Sequence, residues 1–190
     1  MKPLISASNL SYKINEKKLF QNISFDVNSG KALHISGSNG SGKTTLLRII
    51  VGLSKPTKGS VEIVTDKSIC FLGHKNALKQ YLTVEDNLHL YDINNHIHLK
   101  KYLVELGLEK SLDVMVANLS FGQQKKLALL RIFLNDSQLI ILDEPCVGLD
   151  AVSQNTLCFF LRNEIDKGKS IIFSSHIALD IEASQLNLNN

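Results

Sequence analysis

The sequence predicts an α/β fold: a mixed β-sheet core, an antiparallel β subdomain at the N-terminus and a helical subdomain inserted at about 76–135. Three observations predict it. The unbroken apolar run at 139–142 reads as a strand buried on both faces, as in a parallel sheet, and 33–35 and 171–173 read as further buried strands. Residues 4–9, then Ile23, Phe25 and Val27 in alternation, read as antiparallel strands ahead of the P-loop strand. From Gly73 to about Asn135 the apolar spacing turns helical.

The chain is organised around the stretch LHISGSNGSGKTTLLRIIVG, from Leu33 to Gly52. Its strand stops at Gly37. A loop of small residues (Ser38, Asn39, Gly40, Ser41, Gly42) leads to Lys43, Thr44 and Thr45, and Leu46, Leu47, Ile49 and Ile50 continue as a helix that Gly52 can close. Gly-x-x-x-x-Gly-Lys-Thr between a strand and a helix is the context of a phosphate-binding P-loop. Glycines let successive backbone N–H groups turn inward on an anion, and the helix dipole points the same way. Lys43 would reach the β- and γ-phosphates of a triphosphate, and the Thr44 hydroxyl would help hold Mg²⁺.

Length and composition bound the rest. The 190 residues form one domain carrying an inserted lobe, large enough to bury roughly 70% of the unfolded surface. No apolar run reaches the ~20 residues needed to cross a bilayer, and the N-terminus has too short an apolar core for a secretory signal. A net charge of +3 without a basic block argues against a nucleic-acid partner. Cys70, Cys146 and Cys158 are odd in number and lack metal-ligand spacing, which reads as free thiols in a reducing compartment.

In order after the P-loop helix, residues 55–60 (KPTKGS) are turn chemistry, and residues 61–64 and 69–72 read as strands. Thr83 with Asp86 makes a capping box ahead of Leu88 and Leu90. Residues 92–98 are a polar break, with His96 and His98 in a solvated connector. Leu99, Leu103 and Leu106 follow at helical spacing until Gly107. Ser120 caps a further helix, with Gln123 at its third position and a stripe of Leu127, Leu130 and Leu134. Residues 151–167 are helical, Gly168 stops them, and after the strand ending at Ser174 and Ser175 only a short tail is expected. Tyr12, judged from the residues alone, is a strand residue packing its ring.

Acidic residues at the end of a buried strand are costly unless they meet a cation. Asp143 therefore suits a Mg²⁺ shell, and Glu144 suits positioning or deprotonating a water. His176 ends another strand on the side where α/β sheets collect ligands. Ser120 at a helix start offers a second anion site. One triphosphate already has the P-loop, so that second site suggests a second subunit.

The set Gly37–Thr44, LSFGQ (119–123), LIILDE (139–144), GLD (148–150) and His176 resembles the ATP-binding subunit of ATP-binding-cassette transporters, a P-loop NTPase of the ABC ATPase type, over nearly the whole chain. The resemblance implies two copies head to tail, each ATP lying between one P-loop and the other copy's Ser120, Gly122 and Gln123. It further implies that Tyr12 stacks on adenine, Glu144 is the catalytic base, Asp150 crosses the interface and His176 contacts the γ-phosphate. Two positions depart from the pattern. Phe121 replaces a glycine in the signature loop, and His74 stands where a glutamine links Mg²⁺ to the membrane partner. The stretch GHKNALKQYLTVEDNLHLY (73–91) is similar to the subunit of the cytochrome c maturation system, the haem-exporter type. That likeness implies ATP and Mg²⁺ as cofactors, an integral membrane permease as partner, and a peripheral place on the cytoplasmic face of the inner membrane. The alternatives are the ATPase of a drug or lipid exporter, a non-transport cassette ATPase, and a regulatory nucleotide-binding module.

Overall fold

A computed structural model of the chain describes residues 3–64, 68–176 and 179–189. Strands β1 (Ile5–Ile14) and β2 (Lys17–Val27) form a hairpin, with Asn15 at φ 52° in its turn, a conformation that asparagine tolerates. After β3 (Ala32–Ser36) and helix α1 (Lys43–Ile50), β4 (Lys58–Ile63) joins the free edge of β1. The result is a three-stranded antiparallel sheet in the order β2-β1-β4.

The second sheet uses β5 (Ile69–Leu72), β6 (Leu139–Asp143), β7 (Ser170–Ser174) and β8 (Ser184–Asn187) in the order β5-β6-β7-β3-β8, and every pairing in it is parallel. The expected mixed character therefore lies between two sheets rather than within one. Between β5 and β6 come α2 (Val84–Leu90), α3 (Leu99–Glu105), a short 3₁₀ turn (Val116–Asn118) and α4 (Phe121–Phe133), and α5 (Ala151–Asp166) links β6 to β7.

All residues of β6 and β7 are buried, and their side chains alternate between two cores. Leu139, Ile141 and Ile172 face α1 and the antiparallel sheet, packing with Leu46, Leu47, Ile5 and Leu10. Ile140, Leu142, Ile171 and Phe173 face α4 and α5, packing with Leu127, Leu130, Leu157 and Leu161. Leu88, Leu103 and Leu106 of the inserted helices share that second core. The parallel register points the carboxyl ends of β3, β5, β6 and β7 the same way, where α/β sheets bind ligands.

The short tail carries a strand that the sequence reading did not assign. Ser184–Asn187 pairs with β3 as an edge strand, Ile35 opposite Leu186.

Candidate active site

Glycine 42 sets the entry to α1. It stands at φ 103°, and a Cβ there would lie 2.9 Å from the Phe20 ring, so neither the backbone nor the space admits a larger residue. No side chain caps α1, whereas Thr83, Ser120 and Asp150 cap α2, α4 and α5. The first-turn N–H groups of α1 are thus left to a ligand. Ser41 Oγ in the same loop is buried with no hydrogen-bond partner among the described residues.

Lys43 is buried and folded back on its own loop. Its Nζ donates to the carbonyls of Gly37 (2.9 Å) and Ser38 (3.3 Å) and to His176 Nε2 (3.0 Å). In that contact Nε2 is the acceptor, since an ammonium only donates. That nitrogen therefore has no proton for Glu144 Oε1, 3.4 Å away. Lys43 Nζ is 4.0 Å from the same oxygen. Glu144 Oε1 consequently lies buried with no hydrogen bond from any described residue, while Oε2 accepts the His176 N–H at 3.2 Å.

Asp143 is fully buried, and both its oxygens are used. Oδ2 accepts from the Thr44 hydroxyl at 2.8 Å, tying the end of β6 to the start of α1. Oδ1 accepts from the Ser174 hydroxyl at 2.6 Å. Behind this pair stands Lys125 on α4, only 2% exposed. Burial pulls its ammonium below the ordinary lysine range, opposed by the charge of Asp143 first, then Cys146 and Glu144. Cys146, next but one to Glu144, is pushed by burial up to about 11 and is an inert thiol.

Lys43, Thr44, Glu144 and His176 border a cleft of about 740 Å³. The β1–β2 hairpin contributes Ile14, Asn15, Lys17 and Leu19. Opposite lie Asn39, Gly40, residues 42–45, His74, Glu144, Val147 and His176. The volume is in the range of small-molecule sites. Gly37 and Ser38 supply the carbonyls behind it. Tyr12 does not line the cleft: its ring stacks on Phe20 at 6.2 Å and borders a neighbouring groove with Lys13 and Lys18. Register shifts on either side of Tyr12 turn Ile14 toward the cleft instead.

Ser120, Gly122, Gln123 and Asp150 also lie outside it. Ser120 and Gln123 form a reciprocal capping box (3.2 and 2.9 Å). Asp150 accepts from the Ser153 N–H at 2.8 Å and from Lys126 at 2.5 Å, and the Lys126 bond chiefly holds its carboxyl well below the usual range. Phe121 leaves the signature loop and covers Gly148 of its own chain. At φ 82°, with a Cβ 2.5 Å from that ring, position 148 must be glycine.

Beyond the cleft lining, two more residues that the sequence did not single out support the site. Asn189 Oδ1 accepts from both the N–H (2.8 Å) and the hydroxyl (2.9 Å) of Ser38, bracing the P-loop from the tail. His34, mid-strand in β3, stacks on Phe173 and donates from Nε2 to the Ser175 carbonyl at 2.9 Å, beside His176. Neither sits in a motif, so only the parallel pairing of β3 reveals them.

The geometry is that of a nucleoside-triphosphate hydrolase, and comparison with known proteins agrees. The ABC transporter family pattern matches residues 20–147. The chain belongs to the ABC transporter family. It is 34% identical over 186 residues to the cytochrome c biogenesis ATP-binding export protein CcmA of Legionella pneumophila (strain Lens), covering 91% of this chain and 92% of that one. The CcmA of Vibrio vulnificus (strain YJ016) is 36% identical over 188 residues with the same coverage. Among solved structures, the ATP-binding cassette MJ0796, a dimer in a post-hydrolysis state bound to ADP and Pi, superposes with a TM-score of 0.76 at 25% identity, over 91% of this chain and 88% of that one. Within the ABC family this chain groups with the CcmA proteins. Its nucleotide is ATP and its activity is ATP hydrolysis.

Proposed function

We propose that this chain is the ATP-hydrolysing subunit of a membrane export complex for c-type cytochrome biogenesis, acting as a pair of copies with Mg²⁺. The CcmA relatives carry that process in their names. The observation that carries the chemistry is Glu144 Oε1, a buried acceptor at the rim of the cleft with no hydrogen bond from a described residue. Such an oxygen costs about 1–3 kcal/mol unless something donates to it. An attacking water is the donor that a general base requires.

In this reading Lys43 leaves the Gly37 and Ser38 carbonyls for the β- and γ-phosphates, and the α1 N–H groups close on the same anion. Thr44 Oγ1 and Asp143 are hard oxygen donors already 2.8 Å apart, the donor chemistry that Mg²⁺ takes. Bound there, Mg²⁺ would neutralise charge developing on the phosphates. Glu144 Oε1 takes the water proton as the oxygen attacks phosphorus, and ADP leaves. His176, released from Lys43, turns to the γ-phosphate. His74, at the carboxyl end of β5, lines the cleft within reach of a phosphate- or metal-bound water. Ile14 and Leu19 supply the apolar shelf for the base, and Tyr12 supports it from behind.

A second copy supplies Ser120, Gly122, Gln123 and Asp150. Phe121 is 60% exposed, and Val147 and Val152 flank its Gly148 seat as further exposed apolar surface, which suits a face covered by another chain. A separate patch suits a permease. Tyr81 is 89% exposed next to Leu82, and the Thr83–Met115 bridge brings exposed Met115 alongside. No described helix is long and apolar enough to cross a membrane; in this reading the chain attaches through the permease, peripherally, on the cytoplasmic face of the inner membrane. Glu144→Gln tests the reading. ATP binding should persist, turnover should fall on the order of 10²–10⁴-fold, and ATP with Mg²⁺ should hold a dimer detectable by light scattering in the presence of the membrane partner. Undiminished turnover, or monomer alone, would refute it.

A further inference from the structure

We infer that Ser174 is a positioning residue for both carboxylates of the hydrolytic site, an inference that rests on reading Asp143 and Glu144 as that pair. Three observations carry it.

The first is register. Asp143 and Ser174 are paired neighbours in the parallel β6–β7 ladder, so their side chains project from the same face of the sheet. Both are fully buried. A serine hydroxyl in that position must find partners within the protein.

The second is how the hydroxyl divides its bonds. It donates to Asp143 Oδ1 at 2.6 Å, a short, charge-assisted bond. With Thr44 on Oδ2, the carboxylate is held from both sides and cannot rotate about its final torsion. The same Ser174 oxygen accepts from the Glu144 N–H at 3.1 Å, and the Ser174 carbonyl accepts from that N–H at the same distance. One side chain thus fixes the orientation of the first carboxylate and the backbone of the second.

The third is the conformation so fixed. Glu144 stands at φ 48°, a left-handed conformation that costs a residue with a Cβ free energy. It sits where the chain leaves β6, and this turn aims its side chain into the cleft. The two bonds from its N–H are the restraint that β7 places on it. A residue at 174 without a hydroxyl would keep the carbonyl bond, lose the side-chain one and free Asp143 Oδ1.

Steady-state kinetics on the complex as it exists tests this, with Ser174→Ala, Ser174→Thr and Ser174→Cys beside Glu144→Gln. Ser174→Ala should lower kcat about tenfold to a hundredfold, leave the KM for ATP within twofold, and raise the Mg²⁺ concentration for half-maximal rate. Ser174→Thr, which restores the hydroxyl, should recover most of kcat. A purely structural role would instead lower the amount of folded protein and leave kcat and Mg²⁺ dependence per folded molecule unchanged. If the alanine chain does not fold, Ser174→Cys carries the test, being nearly the same volume with only a weak donor. Its kcat should fall while KM holds. A folded Ser174→Ala or Ser174→Cys protein with kcat within twofold of the parent overturns the inference, and so does a folded Ser174→Thr protein as slow as alanine. Loss of activity in Glu144→Gln alongside that result would leave the hydrolytic reading intact. An active Glu144→Gln would sink the reading itself.

Discussion

Two helix starts in this chain invite an anion, and they are built in opposite ways. At α1 no side chain of the described residues caps the first turn, and the lysine and threonine that open the helix meet the aspartate and glutamate at the end of β6. At α4 the cap is complete: the Ser120 and Gln123 side chains satisfy one another's backbone N–H groups. The first leaves its first-turn N–H groups without a side-chain cap. The second is a finished helix end whose free resources are the remaining N–H groups and an exposed apolar neighbour, Phe121. The difference teaches that the groups suited to a triphosphate gather at the start of α1 within one chain, whereas the start of α4 is already closed by its own side chains.

Lys43→Ala is the strongest way to break the α1 side of that contrast. Charge-assisted bonds to phosphate are worth about 1.5–3 kcal/mol each, so ATP affinity should fall by roughly tenfold to a hundredfold or more, read by titration on the isolated chain. Folding should survive, since among the described residues the Lys43 hydrogen bonds go to loop carbonyls and His176, with Glu144 at 4.0 Å. Undiminished affinity would mean that the phosphates are bound elsewhere.

Ser120→Ala sharpens the other side. ATP affinity of a single chain should not move, because Ser120 lies outside the cleft. Hydrolysis by the assembled complex should fall about tenfold if its hydroxyl meets the partner's phosphate. The lost cap alone would cost about 1 kcal/mol of stability, seen as a lower Tm. A drop in single-chain ATP affinity would erase the distinction between the two faces.

Local signals made most of this architecture legible in the sequence. The P-loop, the capping boxes at Thr83 and Ser120, and the buried runs of β6 and β7 each need only neighbours within a few residues. What stayed hidden depends on register. Tyr12 and Ile14 are both β1 residues, and only the shifts between Leu10, Tyr12 and Lys13 decide which one borders the cleft. Ser174 read as the polar end of an apolar run until its pairing with Asp143 was known. Strand β8, with the sequence SQLN, has no apolar run to announce it. It is an edge strand held by β3 alone, where pairing rather than propensity makes the strand.

That edge strand yields the smallest and most discriminating expected effect. Asn189 lies two residues beyond β8, and its side-chain oxygen takes both donors of Ser38, so the tail holds the P-loop from outside the motif. Two bonds between neutral groups, partly exposed, contribute about 0.5–1.5 kcal/mol each at most. Asn189→Ala should therefore raise the KM for ATP roughly twofold to tenfold and leave kcat near its parent value, because Glu144 and Asp143 are held by β7 and not by β8. A fall in kcat at constant KM would tie the tail to the chemical step instead. No change in either would reduce β8 to a cover for the edge of β3. The expected split, KM from the tail and kcat from β7, would place loop bracing and carboxylate orientation on opposite neighbours of the P-loop strand.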